Sequence, residues 1–587
     1  MRAIALGIVL GVVSPPVTAG QAPGRDTPAQ RQRGSTTAPT GRITGRVIAA
    51  DNGRPVRRAR VLLTAAELPG GRGALTDADG LFEFTELPAG RYSLGVSKSG
   101  FISLSYGQRR PLQPGTPLQL GEAEQLRGLE FRLPRGSVIS GQILDEVGDP
   151  LPGVSVRVLA FRYAQGTRQL VPVGAGMTDD RGQYRVWGLN PGDYYVSAAA
   201  RNFNVGPPGA PGVPLRFPGA GRGGRGGGPP NGNVGGTGAA PVADGTEQTG
   251  YAPTYYPGVE SVAQARPVTV GLGAEAPDIS FSILLVRTAR VSGRVVAGDG
   301  TPVSTGMVVL MPEGQTSGRL GPGAGFNGRL QWDGTFAMPN VPPGRYVLRA
   351  RGDDWDSPQF ATMPLTVSGD DLAGVTVVLL PGATLTGTAT FLRSQGLPPD
   401  PTQFRVAAPG TDGALPGPQP NARVDENGRF TLDGVAAGGH WLRTQTPRGW
   451  TVKSIVVEGR DVTDVPVELR SGQRMTLAVT FTDQLSEITG LIRDTQGNPL
   501  TDYTVLAFAD DASRWYPQSR FIMTARPDQT GRYQLRGLPP GEYLLAIVDP
   551  AEANEWYEPA FLDQQRSGAV RLQLAEGDRK TQHLTGR

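Results

Sequence analysis

Apolar and polar residues alternate along this chain in short runs, and most runs stop at glycine, proline or an Asp-Gly or Asn-Gly pair. Residues 178–198, TDDRGQYRVWGLNPGDYYVSA, display the unit. A turn closes on Gly182, Tyr184 and Val186 mark one face of a first run, Asn190-Pro191-Gly192 reverses the chain, and Tyr194 starts a second run. A period of two sends alternate side chains to opposite faces, which predicts two antiparallel strands with one buried face each. Aspartate beside glycine suits the tight turn, because both tolerate positive φ and the aspartate side chain caps nearby backbone N–H groups.

The unit occurs five times, with turn glycines at Gly80, Gly182, Gly334, Gly428 and Gly531. Two residues beyond them stand Phe82, Tyr184, Phe336, Phe430 and Tyr533, and twelve beyond stand Tyr92, Tyr194, Tyr346, His440 and Tyr543. Upstream of each copy an apolar residue, a spacer and a glycine recur, at Gly45, Gly141, Gly293, Gly387 and Gly490. The two glycines of a copy are 41 residues apart in four cases and 35 in the first. That regularity implies one module copied five times. A later strand pair is expected to end at LEFRL (129–133), ISFSI (279–283), VTVVL (375–379), LAVTF (477–481) and VRLQL (570–574). Closely spaced strand signals with scarcely any helical period predict an all-β chain of tandem antiparallel β-sandwiches.

The opening G-x-V…D-x-G-x-P, plain at Gly45–Val56 and Gly490–Leu500, and the core D-x-x-G-x-[FY]…L-P-x-G-x-Y together resemble the carboxypeptidase regulatory-like family. The resemblance implies transthyretin-like Greek-key sandwiches, beads on a string, over nearly all the mature chain. It implies no activity, since such modules are accessories in many secreted proteins. The expected units are 42–134, 135–286, 287–381, 382–484 and 485–587. The fourth departs most, lacking the G-x-P opening and carrying His440 in the tyrosine slot. Within the second, 203–250 is rich in glycine and proline, with too few apolar residues to repay ordering, and is expected to be a flexible loop. A straight array of five such units would reach about 150 Å.

The first 19 residues read as a signal peptide, with Arg2, an apolar run and a small-residue cleavage site at Val17-Thr18-Ala19; 20–41 reads as a flexible leader. The mature chain is therefore expected to be exported to the periplasm, cell surface or medium, without a transmembrane segment. Absence of cysteine excludes disulfide staples, so each unit must stand on its own core. The net charge of +4 is small for 587 residues, and the arginines are scattered, which speaks against a nucleic-acid partner.

Candidate chemistry is sparse. Only His440 and His583 are present, neither within an H-x-x-E pair, so no zinc site, catalytic residue or cofactor is expected. Asp353, Asp354 and Asp356 form the densest acidic cluster, and TDADG (76–80) and DENG (425–428) bring carboxylates together; solvated loops and hairpin turns account for them. RGGRGGG (222–228) reads as linker. Aromatics outside the repeat positions are the candidate ligand contacts: Trp355, Trp450, Trp515, Tyr516, Trp556 and Tyr557, as flat faces for sugar rings. Packing on the sandwich is the favoured reading for these and ligand contact the alternative, with 554–566 forming one or two turns of amphipathic helix that seat Trp556 and Phe561. The favoured function is a non-enzymatic exported scaffold or adhesin, monomeric, holding polysaccharide or an envelope protein. A carbohydrate-binding protein and an accessory region of a secreted hydrolase or carboxypeptidase system are the alternatives.

Overall fold

The computed structural model describes residues 41–586, apart from 109, 165–166, 201–247, 314–324, 355–356, 395–397, 412–419 and 550–553. The signal-peptide and leader assignments, nearly all of the 203–250 loop, RGGRGGG and Trp355 lie outside the described residues. The rest is a succession of β-sandwiches, with one α-helix of seven residues, Pro559–Gln565, among the described residues. Each sandwich has its own apolar core: Ile43 to Leu133, Ile139 to Ile283, Ala289 to Leu379, Ala383 to Phe481 and Ile488 to Leu584. A second core in the fifth, from Leu506 to Leu562, seats that helix.

One sheet plan recurs. The opening strands are Gly41–Ala49, Ser137–Leu144, Ala289–Ala297, Ala383–Leu392 and Glu487–Arg493. Each pairs antiparallel with the strand after the turn glycine, as in Gly45 opposite Phe82 and Gly490 opposite Tyr533. Each also pairs parallel with a closing strand late in its sandwich, as in Arg46 with Glu130, Ile143 with Phe281 and Gly387 with Leu477. The facing sheet centres on the tyrosine strand, for instance Gly90–Ser97, flanked by Arg60–Ala65 and Leu118–Leu120. In the third sandwich Gln359 and Phe360 pair with Pro381 and Leu380, and the two sheets join into one of seven strands.

The parallel pair between first and last strands adds to the antiparallel plan expected from alternation. It also corrects one strand. VRLQL does not close the fifth sandwich: Val570–Leu574 pairs with Gly541–Leu545 in the facing sheet. The closing strand is Arg579–Thr581 continued by Leu584–Thr585, parallel to Glu487–Arg493. The counterparts of VRLQL are Leu118–Leu120, Val268–Val270, Gln359–Val367 and Val467–Leu469.

The repeated glycines answer to crowding. At the turn, Gly182 has φ 68°, and a Cβ there would lie 2.7 Å from Ile143 O of the opening strand. In the opening strand, a Cβ on Gly141, Gly293 or Gly490 would fall on a carbonyl of the closing segment, from Ile279, Val375 or Gln582. These strands cross too closely for any side chain. Against that constraint, burying each repeat aromatic contributes about 1.5–3 kcal/mol.

Candidate functional site

The acidic turns spend their carboxylates on the backbone. Asp77 Oδ1 accepts from the N–H groups of Asp79 (2.9 Å) and Leu81 (2.8 Å), and Asp425 Oδ1 from those of Asn427 (2.9 Å) and Arg429 (2.7 Å). Asp179 and Asp528 do the same. In the third copy Gln331 holds the equivalent place, and Asp333 instead accepts from Thr335, bonds that hold its carboxyl below the usual range. The TDADG and DENG clusters are thus capped hairpin turns.

The slot twelve residues beyond the turn glycine makes one bond in every copy. Tyr92 donates to Pro88 O (2.7 Å), Tyr346 to Pro342 O (2.9 Å), Tyr543 to Pro539 O (2.7 Å), and Tyr194 to Asn190 O. His440 Nε2 meets Ala436 O at 2.8 Å, four residues back as in the tyrosines, while Nδ1 meets Ala408 O at 2.8 Å. This is a tyrosine corner of the kind β-sandwiches use, with histidine filling it once. Burial pushes Tyr346 up to about 12 and raises Tyr543 further. The other histidine is also occupied: His583 Nδ1 accepts from Leu491 N at 3.1 Å, bridging the break in the closing strand. Among the described residues no group of three His, Cys, Asp or Glu side chains could hold a metal ion.

The aromatic candidates are engaged with protein. Trp515 is 8% exposed, donates Nε1 to Ala509 O at 2.8 Å and lies edge-on to Phe508. Trp556 is 8% exposed in the core that seats the helix, with Tyr557 and Phe561 packed against it. Trp450 packs edge-on to Phe391 and Phe404 against the fourth core. Tyr516 stacks on Trp441 with ring centres 5.2 Å apart. Trp515 and Trp556 are buried, whereas Trp450, Tyr516 and Tyr557 are half-buried against a core or a junction. Asp353 and Asp354 are exposed.

The open aromatics are elsewhere. Trp332, 87% exposed, stands in the third copy's turn, and Trp187, 55% exposed, on an outward strand position. Beside Trp332 lies a groove of about 590 Å³ on the outer face of the third sandwich, lined by Arg290, Ser292, Arg294, Gln331, Thr335 and Thr376 among others. Arg290, Ser292 and Arg294 alternate outward on one strand, with Thr335 and Thr376 opposite Arg294 on its two neighbours.

Polar side chains also join sandwich to sandwich. Between the fourth and fifth, Arg520 Nε and a terminal nitrogen donate to the two oxygens of Asp464 at 2.6 and 2.8 Å. Tyr516 donates to the same carboxylate at 3.3 Å, and Lys453 pairs with Glu576 at 2.6 Å. Arg443 lies over Trp441 at 4.6 Å, and desolvation there lowers its pKa against the raising effect of Tyr516 and Asp464. Between the first and second, Arg135 pairs with Asp51 at 2.8 Å and covers Phe101. The string is not straight, however: the fifth sandwich also touches the first, where Gln113 Nε2 donates to Asp549 Oδ1 at 3.0 Å.

Residues 42–127, within the first sandwich, match the carboxypeptidase regulatory-like domain family. No curated protein matches the sequence. Among solved structures the chain is similar to the TIE protein of Bacillus anthracis, at 10% identity over 77% of this chain and 74% of that one, with a TM-score of 0.15. It is similar to the full-length major pilin of Streptococcus pneumoniae at 9% identity over 94% and 100% of the two chains, TM-score 0.14. A minor pilin of Streptococcus agalactiae is similar at 13% identity over 42% and 97%, TM-score 0.21. Superpositions this loose carry no functional argument.

Proposed function

We propose that this chain, whose residues 42–127 match the carboxypeptidase regulatory-like domain family, is a tandem array of such domains that serves as an exported, non-enzymatic scaffold holding partners at or beyond the cell envelope. One observation carries the reading: the repeat's recurring polar side chains are consumed in holding the backbone. The turn aspartates cap N–H groups, and the corner tyrosines and His440 bond carbonyls. A module copied five times with its repeated polar atoms so committed supports spacing and presentation, not turnover. Units of 42–134, 135–286, 287–381, 382–484 and 485–587 are part of the proposal. Affinity capture from the envelope and growth medium of the producing cell tests it, alongside a panel of peptide and glycan substrates. A reproducible envelope partner with no turnover is expected; catalytic turnover abolished by a single side-chain change overturns it.

A polysaccharide is a second reading, favoured by the exposed Trp332 beside hydroxyl and guanidinium groups in the groove of the third sandwich. Flat aromatic faces stack on sugar C–H surfaces, and Arg290 and Arg294 would favour acidic sugars. Trp332→Ala and Arg294→Ala should each weaken retention on an acidic polysaccharide column, and unchanged retention in both removes this reading.

A further inference from the structure

The two ends of the described chain carry matching surfaces. In the first sandwich, Leu118–Leu120 pairs with Gly90–Tyr92 along one side. On its other side the carboxamide of Gln529 takes the place of a strand's peptide group: Oε1 accepts from Gln119 N at 2.9 Å, and Nε2 donates to Gln119 O at 2.9 Å. Gln529 stands in the turn of the fifth sandwich, whose backbone Asp528 caps. Around this pair Arg91 donates to Arg526 O, with the Asp528 carboxylate attracting the guanidinium. Gln113 reaches Asp549, and Thr116 donates to Thr501 O at 3.4 Å.

We propose that this is an end-to-end interface that also forms between copies, the fifth sandwich of one chain seating on the first sandwich of another. The partner is a second copy of this chain. The two patches are different surfaces, so the contact is head-to-tail: it closes within one chain or propagates from chain to chain. A strand edge is the usual place for another chain to add, and the outer edge of Leu118–Leu120 is held by one side-chain carboxamide, that of Gln529, and, among the described residues, by no strand. The bonds named here are polar, as in domain contacts that open and close, so the seat on Leu118–Leu120 exchanges. Closure within a chain has the advantage of effective concentration alone, and a neighbouring copy competes as protein concentration rises. This goes beyond the scaffold reading and needs no ligand.

The sequence has no cysteine, so introduced thiols are unique handles. Full-length Gln119→Cys is mixed with full-length Thr501→Cys and treated with a short bis-maleimide; neither substitution removes a side chain that makes the contact. The expected product is a covalent dimer whose yield rises with protein concentration and falls several-fold when Gln529→Ala is added to the Thr501→Cys chain. As the reference, Gln119→Cys is mixed with Trp332→Cys, a fully accessible site on the third sandwich. The double variant Gln119→Cys/Thr501→Cys should give closed monomers when dilute and a ladder of oligomers when concentrated. A mixed yield no greater than the reference, a yield indifferent to Gln529→Ala, or linkage confined to single chains at every concentration overturns the proposal.

Discussion

The fourth and fifth sandwiches are neighbours built on one plan, yet they treat the crossing of opening and closing strands differently. In the fourth, Ala383–Leu392 runs beside Arg474–Thr482 without a break, and Gly387 faces chiefly the ring of Phe430. In the fifth, the closing segment is interrupted, and Gln582 O projects at Gly490. Tyr533 O–H donates to that oxygen at 2.6 Å, and His583 supplies the acceptor that the ladder lacks. The second sandwich repeats this solution, with Tyr184 donating to Ile279 O (2.6 Å) and Ser280 Oγ accepting from Gln142 N (2.9 Å). Tyrosine at the aromatic position therefore accompanies an interrupted closing strand, and phenylalanine a continuous one. The difference teaches that the repeat keeps a bond or a clearance, and lets the residue type follow.

Glycine substitutions should separate the two sandwiches most. Gly490→Ala drives a methyl into a backbone oxygen held by Tyr533, and should exceed the usual over-packing cost of about 1–3 kcal/mol. Gly387→Ala meets the buried ring of Phe430 instead of a backbone oxygen, and should cost less, within that range. Hydrogen exchange of the full chain, resolved by segment, reads both. Equal losses would show that the crossing is as tight in the fourth sandwich as in the fifth.

The corner slot gives a middle-sized effect. His440→Phe leaves Ala408 O and Ala436 O without their ring partners, at about 1–3 kcal/mol. His440→Tyr restores the Ala436 bond that the other copies make, and should recover part of the loss in thermal unfolding. If phenylalanine is tolerated as well as tyrosine, the slot is filled for volume alone.

The smallest effect is alkaline. Tyr346 ionises near pH 12 when folded, against about 10 in an unfolded chain. A phenol whose folded pKa is raised contributes stability in full below the unfolded value, and that contribution is lost as pH rises from about 10 through 12. Phenolate absorbance should therefore lag behind that of unfolded chain until the third sandwich opens. Coincident titration in native and denatured samples would contradict the burial.

Much of this architecture could be read from the residues, because capped turns and alternating strands are local. The turn and corner glycines, the aromatic slots and the short helix after Trp556 all declared themselves within windows of a few residues. The closing strand of the fifth copy did not. VRLQL alternates as well as any strand, while the true closing segment RKTQHLT is polar and broken. The turn after VRLQL was the available signal: Ala575 N donates to Asp578, as Gly121 N does to Glu124 in the first copy. Parallel pairing joins residues far apart in sequence, and alternation says nothing of partners. The junctions were opaque for a related reason: Asp464, Arg520 and Gln529 lie in loops without period. Trp187 was readable, since Val186 points inward and its neighbour must point out.

The parallel pairing of first and last strands has a mechanical meaning. Tension applied to the two ends of a sandwich pulls those adjacent strands in opposite directions along their own axes. The hydrogen bonds between Gly41–Ala49 and Gln125–Leu133 are then loaded together, in shear, instead of being peeled one after another. A sandwich so built resists stretching until that pairing yields as a whole.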